Sequence, residues 1–459
     1  MFKRKLNRVE TIALSVAVIA MMVGISLNTP FIAATAGTAV PLVFIVSTIG
    51  VLCIALSFVR LASKVGHAGS VYGLIYYAQG RNFGFIAGWA ILLTYAVFVT
   101  AALCGFGLFA SGLLAPVVNI PWPVYAFACA FLVWFITDRD IKLSTRLMLT
   151  IELFSVTLVL ILSVIIVSVT KFTPAPFHLG SSGIGGLSQG LVFGVLTFIG
   201  FEAASSLGEE AQNPVRDVPF AIITTVLVAG AFFTFVGYAQ TVGYGLGNIS
   251  KFANAAAPFQ DLAPQYAGAV MSGLIQFGAL VSTFAMAVGS AAAAARLLVA
   301  LARDGFLPSR LASVNQYGSP RVAGNLVMIM NLVLLAVLAA WHNNASDLYG
   351  YTGTVATLTV LIAYGMMNIA SLIRFTKTDL QAARWYMPIP PVVGLLLAAY
   401  ALFANIYPVP AFPFNYFPYI VIAYMAVGGA VLMAARRRVP HVDMAQYEFA
   451  AVQDVTEVS

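Results

Sequence analysis

Glu202 is the residue of this chain best placed to do chemistry. It closes the run Phe198-Ile199-Gly200-Phe201-Glu202 inside a segment that is otherwise apolar. A charge at bilayer depth costs about 2.5–3.5 kcal/mol on insertion scales, so it is expected to face a cavity, a partner or a bound ligand. A carboxyl there can carry an exchangeable proton, pair with a cation, or steady an unwound turn by accepting hydrogen bonds. Gly200, two residues earlier, lets a helix unwind and expose its backbone groups. Two more ionisable residues fall in apolar segments. Glu152 follows Arg146 by one and a half turns and is expected near an interface, in a structural pairing. Arg296 is expected at a segment end, snorkelling toward the polar layer.

Enzyme chemistry is nearly absent. There is no His-Glu-x-x-His and no phosphate-binding loop. Gly186-Leu187-Ser188-Gln189-Gly190 matches Gly-x-Ser-x-Gly, but it opens an apolar helix instead of following a strand. His67, His178, His342 and His441 fall in loops or the tail. Cys53, Cys104 and Cys129 sit inside apolar runs and read as small packing residues, without a disulfide framework or a metal site. No cofactor is implied.

The elements that must position Glu202 follow from composition. Of 459 residues 61% are hydrophobic and 8% charged, and mean hydropathy is +0.94. A soluble domain carries about 25% charged residues. The chain is therefore an all-helical protein of the lipid bilayer. Its formal charge of +7 is spread over short polar gaps, which excludes a nucleic-acid patch. A basic start followed by an apolar run resembles a signal peptide, but the run is too long and is expected to stay as a first span.

Twelve segments are long enough to cross a membrane: 11–35, 40–62, 83–112, 121–137, 145–169, 187–208, 218–244, 268–300, 322–341, 348–374, 385–406 and 414–435. With the N-terminus in the cytoplasm and strict alternation, only Lys171 and Lys251 of the 23 basic residues fall outside. That asymmetry predicts an even number of spans with both termini cytoplasmic. Glycines at four-residue spacing, Gly80-Gly84-Gly88 and Gly186-Gly190-Gly194, predict faces of close helix packing.

Spans 1 and 6 each carry a predicted break near mid-membrane, at Val23-Gly24-Ile25-Ser26 and at Ile199-Gly200-Phe201-Glu202. A break repeated five spans later is the pattern of an inverted repeat, with a binding site between the broken helices. Free N–H groups at one half-helix end suit a carboxylate, and free C=O groups at the other suit an ammonium. An amino acid carries both.

The run from Phe198 to Glu202, continued by Gly208-Glu209-Glu210-Ala211-Gln212-Asn213-Pro214-Val215-Arg216-Asp217-Val218-Pro219, resembles the amino acid–polyamine–organocation transporter superfamily. So do Ala68-Gly69-Ser70-Val71-Tyr72 with Gly80, Gly84, Phe85, Gly88 and Trp89, then Lys142-Leu143-Ser144-Thr145-Arg146, and Ala302-Arg303-Asp304-Gly305-Phe306-Leu307-Pro308. The likeness covers most of spans 1 to 9. It implies a LeuT-like fold: two inverted five-helix repeats over 11–170 and 187–376, two extra helices over 385–438, and cytoplasmic ends at 1–10 and 439–459. It implies alternating access with a midplane site. Carried over by position, that site comprises Val23, Gly24, Ile25 and Ser26 with Leu196, Phe198, Ile199, Gly200 and Glu202.

Two departures bear on substrate and ion. The first break of such carriers commonly reads Gly-Ser-Gly, and here bulky Val23 and Ile25 flank Gly24, which leaves open whether a carboxylate binds there. Several relatives carry a lysine in span 5 in place of a sodium ion, and the matching position is Ser155. Ser155, Ser282 and Thr283 can offer oxygens to a cation or bond the helix backbone. Coupling candidates are thus Glu202, Glu152, Ser155, Ser282 and Thr283, with H+ and, as a second option, Na+. The expected function is secondary transport of an amino acid across the cytoplasmic membrane by proton symport or exchange. The alternatives are a polyamine or cationic amine carrier and, more remotely, a nutrient-sensing receptor. Oligomeric state is not encoded legibly.

Overall fold

The computed structural model describes residues 7–65, 70–137, 141–180, 182–207, 211–315, 319–378, 387–407 and 409–435. Ala68-Gly69, Gly208-Glu209-Glu210, the first six residues and the tail from 436 lie outside the described residues. Every described element is helical. In chain order they are α1 (Arg8–Ile19), α2 (Met21–Leu27), α3 (Thr29–Ala36), α4 (Val40–Ala62), α5 (Val71–Gln79), α6 (Arg81–Leu114), α7 (Trp122–Thr137), α8 (Ile141–Thr170), α9 (Gly183–Leu196), α10 (Pro214–Tyr244), α11 (Ile249–Ala253), α12 (Pro258–Arg303), α13 (Arg321–Trp341), α14 (Ala345–Thr378), α15 (Ile389–Ala404) and α16 (Phe417–Ala435). A 3₁₀ helix, Phe201–Leu207, follows α9.

Among the described residues, nine helical stretches are long and apolar enough to cross a membrane, and α7 and α15 are shorter apolar helices. Segment 11–35 is not one helix. It is divided among α1, α2 and α3, and α3 runs on through a short 3₁₀ turn toward α4. Peripheral helices turn apolar side chains outward. Val124, Phe131, Leu132 and Phe135 of α7 are more than half exposed, and so are Met330, Val333 and Val337 of α13. Water would not tolerate such faces, and lipid does. The chain is a multi-pass membrane protein.

α6 lies at the centre, packed along α12 and α14 and covered at one end by α5. The glycine rows pack as expected. A Cβ on Gly84 would stand 2.7 Å from Tyr76 Cβ, and one on Gly88 would stand 2.9 Å from Tyr72 Cβ, so α5 lies directly on α6. A Cβ on Gly190 would stand 3.1 Å from Val43 Cγ2, which brings α9 against α4. Tyr72 Oη donates to Asp304 Oδ2 at 2.5 Å and ties α5 to the end of α12. Arg296 corrects the expectation for it. It is 4% exposed and buried in the bundle, because the surrounding run of α12 from Ala291 to Ala302 is almost entirely encased.

Candidate functional site

Both breaks exist, and they face each other. α9 stops at Leu196, and the chain turns through Thr197–Gly200 before the 3₁₀ helix. Gly200 has φ +110°, a conformation side chains resist. A Cβ there would stand 2.8 Å from Ile19 N and 2.8 Å from Val18 C. The backbone of Gly200 therefore rests on the backbone at the end of α1, one residue before α1 breaks. That break is at Ala20, in the left-handed region with φ 49°.

The first break is thus three residues earlier than expected. Val23, Gly24, Ile25 and Ser26 are helical members of α2, all buried. Gly24 serves close packing instead of unwinding, since a Cβ on it would stand 2.7 Å from Thr197 Cγ2. No glycine or proline marks Ala20. α1 ends where Gly200 abuts Val18 and Ile19, a contact from about 180 residues away along the chain.

Hydrogen bonds join the two broken segments. Ser15 Oγ donates to Phe201 O at 3.0 Å and accepts from Ala204 N at 2.9 Å, fastening α1 to the 3₁₀ helix. Asn28 Nδ2 donates to Thr197 Oγ1 at 3.1 Å. Arg8 Nε donates to Asp217 Oδ1 at 2.9 Å and links the start of α1 to α10. Leu196, Phe198 and Ile199 are buried, and the Phe198 ring meets Phe233 of α10 edge-on at 5.1 Å.

Glu202 is fully buried within a cage of donors. Tyr95 Oη of α6 donates to its Oε1 at 2.9 Å. Tyr364 Oη of α14 and Gly200 N donate to its Oε2 at 2.6 and 3.1 Å. The carboxylate thus ties the second break to α6 and α14. The arrangement can hold a negative charge at this depth without a cation. The Gly200 contact brings the two broken helices together, and the carboxylate braces the second of them. The description "Amino acid permease" matches residues 6–431.

The chain belongs to the amino acid permease family. It is 28% identical over 368 residues to a branched-chain amino acid permease of Lactococcus lactis, covering 75% of this chain and 76% of that protein. It is 27% identical over 408 residues to the methylthioribose transporter of Bacillus subtilis, covering 83% of each. It is 26% identical over 357 residues to a low-affinity putrescine importer of Escherichia coli K12, covering 74% of this chain and 72% of that protein. The chain is a permease and not an enzyme.

The permease gives Glu152 the structural pairing expected of it. The side chain is fully buried. Its Oε1 accepts from Met22 N, in the first turn of α2, at 3.2 Å, and its Oε2 accepts from Ser282 Oγ of α12 at 2.6 Å. It satisfies an orphan N–H of the interrupted helix, which a buried helix start requires. Ser155 Oγ donates to Gly278 O at 2.8 Å. Thr283 Oγ1 bonds the backbone at Ala279 and Leu280. No group of three or more His, Cys, Asp or Glu able to hold a metal occurs among the described residues.

Sequence reasoning missed Tyr95, Tyr364, Ser15, Asn28, Thr197 and Gln240. Each is a polar residue in an apolar helix, which was a signal. Nothing in the linear order says which of them meet.

Proposed function

We propose that this permease is a secondary active carrier of an amino acid, with twelve spans, two inverted five-helix repeats and both termini in the cytoplasm. The observation that carries the reading is the contact of Gly200 with Val18 and Ile19, which sets two interrupted helices break to break at the centre of the bundle. The substrate sits against Val23–Ser26 and Leu196–Glu202, and one repeat rocks against the other. Glu202 carries the coupling proton, and Glu152 steadies α2. A branched-chain amino acid relative at 28% identity supports an apolar amino acid as the substrate. A putrescine importer at 26% identity favours a second reading, a diamine carrier. In that case the cation joins the donors already on Glu202 or displaces one of them.

Uptake into proteoliposomes tests the reading, with leucine, glutamate, lysine and putrescine as labelled probes, each with and without an inward proton gradient. Gradient-driven accumulation of leucine is expected. Accumulation of putrescine alone selects the diamine reading, and specific binding without flux removes the carrier. Glu152→Gln keeps an acceptor for Ser282 but turns an amide N–H₂ toward Met22 N–H. One lost bond to a charged acceptor is about 1.5 kcal/mol. Uptake is expected to fall roughly ten-fold at about 1.4 kcal/mol per decade, with the gradient response retained. Loss of that response in this variant would move the coupling role from Glu202 to Glu152.

A further inference from the structure

A groove in the lipid-facing surface lies between α4, α10 and the end of α8, with a volume of about 540 Å³. Gly230, Ala231, Thr234, Phe235 and Tyr238 form its α10 wall, five positions on one face of that helix. A Cβ on Gly230 would overlap the Thr48 side chain, so α10 lies directly against α4 there. Among the described residues no charged side chain lines the groove. Thr48 Oγ1 is spent on Phe44 O at 2.6 Å, and Tyr238 Oη accepts from Thr173 N at 2.8 Å. Water finds little to bond in such a space, and an empty one forfeits dispersion contact along its whole wall. Ile49 and Phe172, on the wall, are 59% and 70% exposed, so the groove opens toward lipid.

One end of the groove belongs to the headgroup layer. Phe172, Phe177 and Tyr238 line it, with the Tyr238 ring 5.6 and 5.4 Å from the other two. Such rings gather at the membrane surface. Lys171 stands directly after α8 and before Phe172, and it is exposed. Its φ of 63° is the left-handed conformation at which helices usually end on glycine or asparagine, so lysine is kept there against backbone preference. On the proposed topology Lys171 lies outside, where the acids are Asp261 and Asp347. Tyr244 Oη donates to Asp261 at 2.7 Å, and His342 pairs with Asp347 at 2.8 Å, so the anion for Lys171 comes from elsewhere. From Gly230 to Tyr238, α10 rises about 12 Å, close to the roughly 15 Å of hydrocarbon in one leaflet. A cation at the rim and an apolar groove one leaflet deep match a phosphate with an acyl chain below it. On the far face of α10, Phe233 meets Phe198 of the second break.

We propose that this groove holds one phospholipid of the bilayer, its acyl chain against α10 and α4 and its phosphate on Lys171. Only the choice of leaflet rests on the proposed topology. Thermal unfolding of the delipidated full chain in detergent tests the site without requiring transport. The probes are phosphatidylglycerol, a diacylglycerol with the same acyl chains, and glycerol 3-phosphate. Phosphatidylglycerol is expected to raise the midpoint at lower concentration than diacylglycerol, and glycerol 3-phosphate is expected to leave it unchanged. Lys171→Gln is expected to weaken the apparent affinity for phosphatidylglycerol about five-fold and to leave that for diacylglycerol unaltered. Ala231 is exposed, so Ala231→Trp fills the groove without entering the core, and both lipids are expected to bind roughly ten-fold more weakly or worse. Ile49→Trp fills it from α4 and gives the same result where Ala231→Trp lowers the lipid-free midpoint. No shift with phosphatidylglycerol in wild type, equal affinity for the two lipids, or a shift unchanged in both tryptophan variants overturns the proposal. A lipid-free dimer that the tryptophan variants dissociate assigns the groove to a second copy and also overturns it. Absence of uptake with the lipid shifts intact would overturn the carrier reading and leave this one standing.

Discussion

Glu202→Gln is expected to reduce uptake at least a hundred-fold and to leave any residual flux insensitive to the proton gradient. The cage explains the size of the effect. Tyr95, Tyr364 and Gly200 N all donate to the carboxylate, and an amide has only one acceptor end. If the amide nitrogen takes the Oε2 position, it faces the N–H of Gly200, donor against donor. If it takes the Oε1 position, Tyr95 must reverse its hydroxyl and find a new acceptor. Hydrogen bonds to charged groups contribute about 1.5–3 kcal/mol each, so Tyr364→Phe alone is expected to cost roughly ten- to hundred-fold in uptake or an equivalent loss of stability. Tyr95→Phe removes the longer bond but leaves Oε1 with no donor, whereas Oε2 keeps Gly200 N when Tyr364 is lost, so it is expected to cost at least as much. The measurement is counterflow uptake normalised to protein that elutes as a folded peak, with thermal midpoints in parallel. Unchanged uptake and unchanged midpoints in both tyrosine variants would show that the cage holds nothing essential. A Glu202→Gln protein that still accumulates substrate in response to the gradient would remove the proton from this residue.

Gly200→Ala is expected to destabilise the permease by roughly 2–5 kcal/mol, combining left-handed backbone strain of about 1–2 kcal/mol with overpacking of about 1–3 kcal/mol. The added methyl would meet Val18 Cγ1 at 2.6 Å and two backbone atoms, Ile19 N and Val18 C, each at 2.8 Å, so side-chain rotation alone does not relieve the overlap. The two broken helices must separate. A large fall in thermal midpoint and loss of the folded peak are expected. Gly24→Ala provides the contrast. Its methyl would meet Thr197 Cγ2 at 2.7 Å, a single side-chain atom. Pairing it with Thr197→Ser removes that atom while keeping the hydroxyl that bonds Asn28, and the double variant is expected to recover most of the stability lost by Gly24→Ala. A Gly200→Ala protein as stable as wild type would mean that the two breaks do not touch.

Much of the architecture was legible in the chain. Apolar runs of spanning length with so few charges leave a helix bundle in lipid as the only way to satisfy the backbone, and the bundle is what forms. The glycine rows announced close packing and deliver it at α5 on α6 and at α9 on α4. The second break was legible because Gly200 and Glu202 are both misfits in a buried helix, one by conformation and the other by charge. The family was legible from motifs spread over most of the chain.

What the chain alone did not reveal is which residues meet. The first break lies at Ala20, a good helix former, because contact with Gly200 and not local propensity ends α1. Gly24 looked like an unwinding point and is a packing point, since its neighbour Thr197 arrives from another helix. Glu152 was legible as a paired carboxylate, but its delivery by α8 to the start of α2 was not. Tyr95, Tyr364 and Glu202 come from three helices, separated by 107 and 162 residues. Periodicity and composition are local properties, and they determine that the helices form and where they lie relative to lipid. The register at which distant helices cross is set by side-chain packing and by the need to satisfy each buried polar group. That register turns scattered misfits into a site.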